Sequence, residues 1–155
     1  MLDAGDKIPK FKLPDESGQA KAFKDLTGKK GLVLYFYPKD NTSGCTVEAK
    51  EFTDQLTAFR RRGYNVVGVS KDSVASHCKF IDKHGLKVQL ISDPETVLIQ
   101  GMGAWGEKKM AGREYMGIIR RTFVINDKGK VLKAYPKVKA AGHAEQVLED
   151  LKGLK

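Results

Sequence analysis

The stretch Leu32-Val-Leu-Tyr-Phe-Tyr-Pro-Lys-Asp-Asn-Thr-Ser-Gly-Cys45 joins an apolar run to the beginning of a helical pattern. The run Leu32–Tyr37 predicts a buried central strand, because strands that are covered on both faces are continuously hydrophobic. From Thr46 to about Arg62 the sequence predicts a helix, and Gly63 is placed where a glycine commonly ends one. Its apolar stripe consists of Val47, Phe52, Leu56 and Phe59. A strand that leads directly into a helix is typical of an α/β fold.

Cys45 lies at the junction between this strand and this helix. The first N–H groups of a helix have no partner within it, and they coincide with the positive end of the helix dipole. Both effects favour a thiolate over a thiol, and the thiolate is the nucleophilic form of cysteine. We therefore expect thiol chemistry at Cys45.

Strand-like and helix-like runs alternate along the rest of the chain, which indicates an α/β fold. Short extended segments near 11–13 and 21–23 predict a small N-terminal hairpin. Further strands are expected over 66–70 and 88–91, and a hairpin over 122–126 and 131–135 turns at Asp127-Lys-Gly129. Helices are expected from a cap at Asp72 or Ser73 to about His84, from Pro94, and from about Gly142 to Leu151. No repeat or long linker divides the chain, so residues 1–155 are expected to form a single domain.

Composition excludes several classes of protein. Of the 155 residues, 41% are hydrophobic and 30% are charged, as in ordinary globular proteins. The net charge of +9 comes from scattered basic residues with no nucleic-acid recognition motif, so no nucleic-acid partner is expected. No apolar run is long enough to span a membrane, and the N-terminus does not look like a secretory signal. We expect a cytoplasmic enzyme that holds no metal, because the two cysteines and three histidines form no zinc-binding pattern.

The spacing Pro38-x-x-x-Thr42-x-x-Cys45 resembles the active-site motif of the peroxiredoxins. The surrounding residues 35–49 resemble the bacterioferritin comigratory protein branch of that family, also called peroxiredoxin Q. Segments in the same order along nearly the whole chain share this resemblance: Gly5–Phe11, Gly68–Ser73, Leu90–Asp93, Trp105–Met110, Gly117–Phe123 and Lys137–His143.

This resemblance implies a thioredoxin-like fold with a central mixed β-sheet flanked by helices. It also implies a thiol peroxidase that reduces hydrogen peroxide and organic hydroperoxides and is recycled by thioredoxin or a similar dithiol. The enzyme would be a monomer without a cofactor. Two other functions stay open. A disulfide oxidoreductase is disfavoured because Glu48 stands where a Cys-x-x-Cys motif needs its second cysteine; a redox-sensing module would use Cys45 oxidation to change a partner surface.

The resemblance also assigns roles to individual residues. Cys45 would be oxidised to sulfenic acid, Thr42 would aim its hydroxyl at sulfur or peroxide, and Pro38 would shield the product. The family pattern Gly-Ile-x-Arg-x-Thr-Phe aligns with Gly117–Phe123 and selects Arg120, rather than Arg121, as the cation of the site. Glu48 is expected to support that arginine. Simpler interpretations are a helix cap for Thr42 and an exposed strand-edge charge for Arg120.

Cys78 is the candidate resolving cysteine. Many relatives carry that thiol five residues after the nucleophile, where this chain has Lys50, and others carry it at the position of Ile81. Cys78 precedes Ile81 by three residues and so lies on nearly the same helix face. It could resolve the sulfenic acid, or it could fill space in the core, in which case an external thiol must recycle Cys45. His77 and His84 are interpreted as helix-surface residues and His143 as a cap or packing residue, and no histidine is assigned to catalysis.

Overall fold

The computed structural model describes residues 1–154, except the side chain of Met110. Its strands are β1 (Lys12–Pro14), β2 (Ala20–Ala22), β3 (Gly31–Phe36), β4 (Tyr64–Ser70), β5 (Gln89–Ser92), β6 (Trp105–Met110), β7 (Arg113–Ile118), β8 (Arg121–Asn126) and β9 (Val131–Tyr135). Its helices are α1 (Phe23–Leu26), α2 (Ser43–Arg61), α3 (Val74–His84), α4 (Val97–Gly101) and α5 (His143–Leu151). The expected alternation of strands and helices is confirmed.

The central sheet has five strands in the order β5-β4-β3-β8-β9. β3 is parallel to β4 and β4 to β5, whereas β8 is antiparallel to both β3 and β9. The sheet is therefore mixed, as expected. β1 and β2 form the predicted N-terminal hairpin, and β6 and β7 pair as a second one.

Hydrophobic clusters cover both faces of the sheet, because successive side chains of a strand point to opposite faces. Val33 and Tyr35 of β3 belong to the cluster that receives α2, α3 and α5. Leu32, Leu34 and Phe36 belong to the cluster that receives α1 and α4. The sequence prediction of a strand buried on both faces is correct, since all six residues of β3 are buried.

Two helix starts differ from the prediction. α2 begins at Ser43 instead of Thr46, so Cys45 lies inside its first turn. α4 begins at Val97 rather than at Pro94, because the Asp93 carboxylate accepts hydrogen bonds from the N–H groups of Val97 and Ile99 at 3.0 and 2.8 Å. A side chain that satisfies the first N–H groups sets where a helix starts.

Other details of the helices follow the sequence more closely. Ser73 caps α3 by accepting a hydrogen bond from the N–H of Ser76, and Gly85 ends that helix at φ 62°. Val47, in contrast, is 40% exposed and does not belong to the buried stripe of α2. α1 and the β6–β7 hairpin were not predicted. Within residues 1–154, no helix combines the length and the apolar character that crossing a membrane requires.

Candidate active site

Cys45 lies on the buried side of the first turn of α2, with only 1% of its surface exposed. Thr42 is the N-cap residue, so the helix dipole and the first N–H groups are directed towards the region around this thiol. Arg120 approaches from the connection between β7 and β8. Its Nη2 donates to the Sγ of Cys45 at 3.3 Å. The sulfur therefore lies between a helix N-terminus and a guanidinium group.

Glu48 holds the other side of this guanidinium. Arg120 Nη1 donates to Glu48 Oε1 at 2.6 Å, and the Glu48 side chain is fully buried. Because Glu48 follows Cys45 by three residues, both lie on the same face of α2. Gly44 leaves the space that this arrangement needs, since a Cβ there would come within 3.3 Å of Arg120 Nη2. The arginine is thus fixed by two contacts from one helical turn.

The pKa values of both Glu48 and Arg120 are shifted in this buried ion pair. Burial raises the pKa of Glu48 to about 7, although the charge and hydrogen bond of Arg120 oppose that shift. Burial also disfavours the charge of Arg120, but Glu48 and Cys45 outweigh it, so the Arg120 pKa is raised. Glu48 Oε2 has no hydrogen-bond partner among the described residues. The arginine therefore stays a cation, while the Glu48 carboxyl group gains or loses its proton near pH 7.

Pro38 and Thr42 lie at the edge of this arrangement. Pro38 is half-buried and lines a shallow depression together with Arg120 and Ile119. The exposed Thr42 donates its hydroxyl to the carbonyl of Lys39 at 2.9 Å. Thr42 is therefore the N-cap residue of α2 by position, but its side chain makes no capping hydrogen bond. The expected role of its hydroxyl towards sulfur or peroxide stays a prediction.

The structure separates Cys78 from this site. Both cysteines are free, and Cys78 lies on the exposed side of α3 while Cys45 is buried. The interpretation of Cys78 as a core-filling residue is therefore wrong. A disulfide requires α-carbons within about 7 Å and suitably directed side chains. Since one thiol faces solvent and the other faces the core, a bond between them requires a rearrangement of α2 or α3.

A buried polar cluster next to the Pro38 loop was not predicted from the sequence. His77 is fully buried, not on the helix surface as predicted: its Nδ1 lies 2.7 Å from Asp40 Oδ2, and its Nε2 lies 3.0 Å from the carbonyl of Ile91. Asp40 also accepts hydrogen bonds from Tyr37 and Ser76. Burial alone would raise the pKa of Asp40, but these contacts, with His77 the strongest, lower it.

This cluster joins the segment before α2 to the helix that carries Cys78. The sequence contained one signal for it, because His77 and Phe80 are spaced as neighbours on one face of a helix and Phe80 is apolar.

The other two histidines are ordinary structural residues. His143 is buried, its Nε2 lies 2.8 Å from the hydroxyl of Thr122, and its ring packs edge-on against Phe52 and Tyr135. This is the expected packing role. His84 contacts the side chain of Asn41 at 2.9 Å. In the described part of the chain, no group of three or more His, Cys, Asp or Glu residues is arranged to hold a metal ion.

A mixed sheet with a cysteine in the first turn of its main helix, where the sulfur accepts a hydrogen bond from an arginine of the β7–β8 connection, is typical of a thiol-based redox protein. The profile of the AhpC/TSA family matches residues 4–134, and the chain belongs to this family. It is 45% identical to the putative peroxiredoxin Bcp of Helicobacter pylori over 150 residues, which cover 97% of this chain and 98% of that protein. It is 40% identical to peroxiredoxin Bcp of Bacillus subtilis over 153 residues, 99% and 97% of the two chains.

Solved structures agree with these relatives. A mutant of Xylella fastidiosa PrxQ superposes with a TM-score of 0.91 at 38% identity, covering 99% of this chain and 97% of that one. Peroxiredoxin Q of Xanthomonas campestris gives a TM-score of 0.88 at 39% identity and covers 98% of both chains. The predicted family, its Bcp and peroxiredoxin Q branch, and the thioredoxin-like fold are confirmed. The protein is an enzyme of thiol-dependent peroxide reduction.

Proposed function

We propose that Cys45 is the peroxidatic cysteine and that Arg120 and Glu48 organise its reaction. The thiolate sulfur attacks the terminal oxygen of the peroxide, so that an S–O bond forms as the O–O bond breaks. Sulfur becomes a sulfenic acid and the other oxygen leaves as hydroxide or alkoxide, which takes up a proton to give water or an alcohol. The observation that carries this proposal is the 3.3 Å hydrogen bond from Arg120 Nη2 to the Cys45 sulfur.

Arg120 would act both before and during the attack. Its fixed positive charge favours the anionic sulfur, and its remaining donors can stabilise negative charge on the peroxide oxygens in the transition state. Glu48 would be a positioning residue, since its 2.6 Å contact prevents the guanidinium from turning away. This fits a reaction that depends on preorganised charge more than on a separate base.

Pro38 and Thr42 would complete the site once peroxide is present. Pro38 lines the depression together with Arg120, and its ring would limit solvent access to the sulfenic acid. Thr42 donates to the Lys39 carbonyl in the free enzyme, and a rotation of its side chain would redirect the hydroxyl towards a bound peroxide. Organic hydroperoxides are included among the substrates because the Xanthomonas campestris relative was solved in connection with its alkyl peroxide reduction activity.

Two routes can return Cys45 to the thiol. In the first, Cys78 condenses with the sulfenic acid to give a disulfide and water, and thioredoxin or a similar dithiol then reduces the disulfide. The exposed position of Cys78 makes it accessible, but Cys45 must leave its buried position. In the second, an external thiol attacks the sulfenic acid directly. We include in the proposal a single-domain monomer that works in the cytoplasm, as the resemblance to this branch implies.

Turnover measurements test the role of Cys45. The enzyme is supplied with hydrogen peroxide, thioredoxin, thioredoxin reductase and NADPH, and Cys45→Ser and Cys78→Ser are compared with the wild type. We expect Cys45→Ser to abolish NADPH consumption. Full activity of Cys45→Ser would overturn the proposal. A wild type that consumes only one peroxide per molecule with either this dithiol or a monothiol would favour the sensor function instead.

Peptide mapping under non-reducing conditions separates the two recycling routes. After one equivalent of peroxide, a peptide that links Cys45 to Cys78 supports the intramolecular route. A persistent sulfenic acid at Cys45 of the wild type, together with unchanged turnover of Cys78→Ser, supports the external thiol.

A further inference from the structure

The β6–β7 hairpin brings a second cation to the candidate active site. Lys108 is half-buried, whereas its neighbours Glu107 and Lys109 are exposed. Its Nζ donates to the carbonyl of Ile118 at 2.9 Å, two residues before Arg120 in the chain. Lysine side chains of exposed hairpins normally extend into water. The position of Lys108 therefore requires a structural reason.

Two facing glycines supply that reason. Gly106 and Gly117 are partners in the hairpin register. A Cβ at Gly117 would come within 3.1 Å of Lys108 Cδ, and a Cβ at Gly106 within 2.7 Å of Ile119 Cδ1. The stem of Lys108 thus folds across the bare backbone of Gly117, and Ile119 folds across Gly106. Both side chains are directed by these glycines rather than by the strand alternation alone.

Lys108, Ile119, Arg120 and Pro38 line the same shallow depression, and the charged residues Glu107, Lys109 and Lys137 also line it. Of the three lysines, Lys108 is the one whose ammonium is held by a backbone carbonyl beside Arg120. The electrostatic surroundings of Lys108 agree with this position. Burial and the nearby Arg120 lower the pKa of Lys108, while Cys45 opposes the shift. The Lys108 ammonium therefore lies close enough to Arg120 and Cys45 to interact electrostatically with both. Among the described residues, Lys108 forms no ion pair with a carboxylate, in contrast to Lys109, which contacts Glu114 at 3.5 Å.

We propose that Lys108 is a further residue of the peroxide-reducing site and that its ammonium stabilises the oxygen that leaves when Cys45 attacks the peroxide. The inference rests on the proposed function of Cys45. As the O–O bond breaks, the leaving oxygen gains a negative charge. Arg120 can stabilise that charge only in part, because its guanidinium also contacts the sulfur and Glu48. A hydrogen bond from Nζ stabilises this charge, and solvent or Nζ then supplies the proton that makes water or alcohol, with Nζ reprotonated from water. The contact with Ile118 keeps the ammonium in place meanwhile.

The rate of Cys45 oxidation tests this role without any recycling step. Trp105, the only tryptophan, lies on the same hairpin, so stopped-flow fluorescence can follow the reaction of reduced enzyme with excess hydrogen peroxide. We expect Lys108→Gln to lower the second-order rate constant about tenfold, the order expected for one charge acting through a partly hydrated site. Lys24→Gln is the control. Its side chain is exposed on α1, which packs on the sheet face opposite α2, so its rate should stay within about twofold of the wild type.

Two further variants distinguish charge from structure. Lys108→Arg keeps the charge and should retain the rate within about threefold, whereas Lys108→Met should be as slow as Lys108→Gln. Gly117→Ala should slow the wild type by displacing the lysine stem, but should slow Lys108→Gln no further, because coupled residues are not additive. A wild-type rate in Lys108→Gln, or an equally slow Lys108→Arg, would overturn the proposal. Cys45→Ser is measured alongside, so its loss of activity shows that the proposed function holds even if the role of Lys108 fails.

Discussion

Replacement of Glu48 by glutamine should change how the stability of the protein depends on pH. The pKa of Glu48 rises from 4.5 to about 7 in the folded protein, chiefly because the side chain is buried. Between these two pH values the folded state holds a proton that the unfolded state releases. The stability that this proton provides is present at low pH and is lost as the pH rises through the folded pKa. A shift from 4.5 to about 7 corresponds to about 3 kcal/mol of unfolding free energy.

Glutamine does not titrate, so it removes this contribution. The unfolding free energy of Glu48→Gln minus that of the wild type should therefore rise by about 3 kcal/mol between about pH 4.5 and about pH 8, because only the wild type loses stability over this range. The difference between the two proteins must be used, because His143 contributes with the opposite sign in an overlapping range. Its pKa is lowered to about 4 by burial and by the nearby Arg120.

Urea unfolding followed by circular dichroism in the presence of a reductant measures both free energies at each pH. Glu149→Gln is the matched control, since this carboxylate pairs with Lys152 on the exposed side of α5 and its side chain is 67% exposed. We expect its difference from the wild type to be the same at both ends of the pH range. If the Glu48→Gln difference is equally flat, the burial of an ionisable carboxylate beside Arg120 does not govern stability and the reasoning is refuted.

Three more predictions follow from the same contacts. Arg120→Lys keeps a charge but cannot bridge Glu48 and Cys45 with two nitrogens, so the rate of sulfenic acid formation in stopped-flow experiments should fall about a hundredfold, whereas Arg121→Lys should stay within about threefold. His143→Gln should remove a loss of about 3 kcal/mol that the wild type suffers as the pH falls from 6.5 to about 4, because the buried imidazole resists protonation; urea unfolding of both proteins measures it. Residues 1–155 should unfold as one domain, so that circular dichroism and Trp105 fluorescence give coincident transitions, and separated midpoints would contradict this.

The fold could be predicted from the sequence wherever hydrophobic patterning was strong. The central strand, the helix after it and the hairpin around Asp127–Gly129 carry apolar runs with clear turn or cap residues, and the structure confirms them. The β6–β7 hairpin gave no such signal. Its residues Arg113–Met116 are exposed, so no alternation of polar and apolar residues marks them as a strand.

The site could be predicted from the motif only as a set of residues. The family pattern selected Arg120 over Arg121 and placed Glu48 near it, and in the structure Arg120 contacts both Glu48 and Cys45. It could not show that Glu48 is fully buried, because an acid in a first helical turn is equally suited to a solvated position near the dipole. Nor could the motif show that the Thr42 hydroxyl donates to the carbonyl of Lys39. A threonine side chain has several staggered rotamers, and more than one of them can give its hydroxyl a nearby hydrogen-bond partner.

Lys108 shows where patterns in a sequence stop being informative. In a strand, the residue number decides which face a side chain occupies, and on that basis Lys108 is one more cation on a charged hairpin. Its contact with Ile118 depends instead on the absence of a Cβ at Gly117, which follows Lys108 by nine residues in the chain. The hairpin register pairs Gly117 with Gly106 and so brings it next to Lys108. A glycine pair in a hairpin is usually interpreted as a source of backbone freedom. Here the missing side chains make room for a lysine and an isoleucine beside Arg120, so the glycines determine the charge and shape of the site without touching the sulfur.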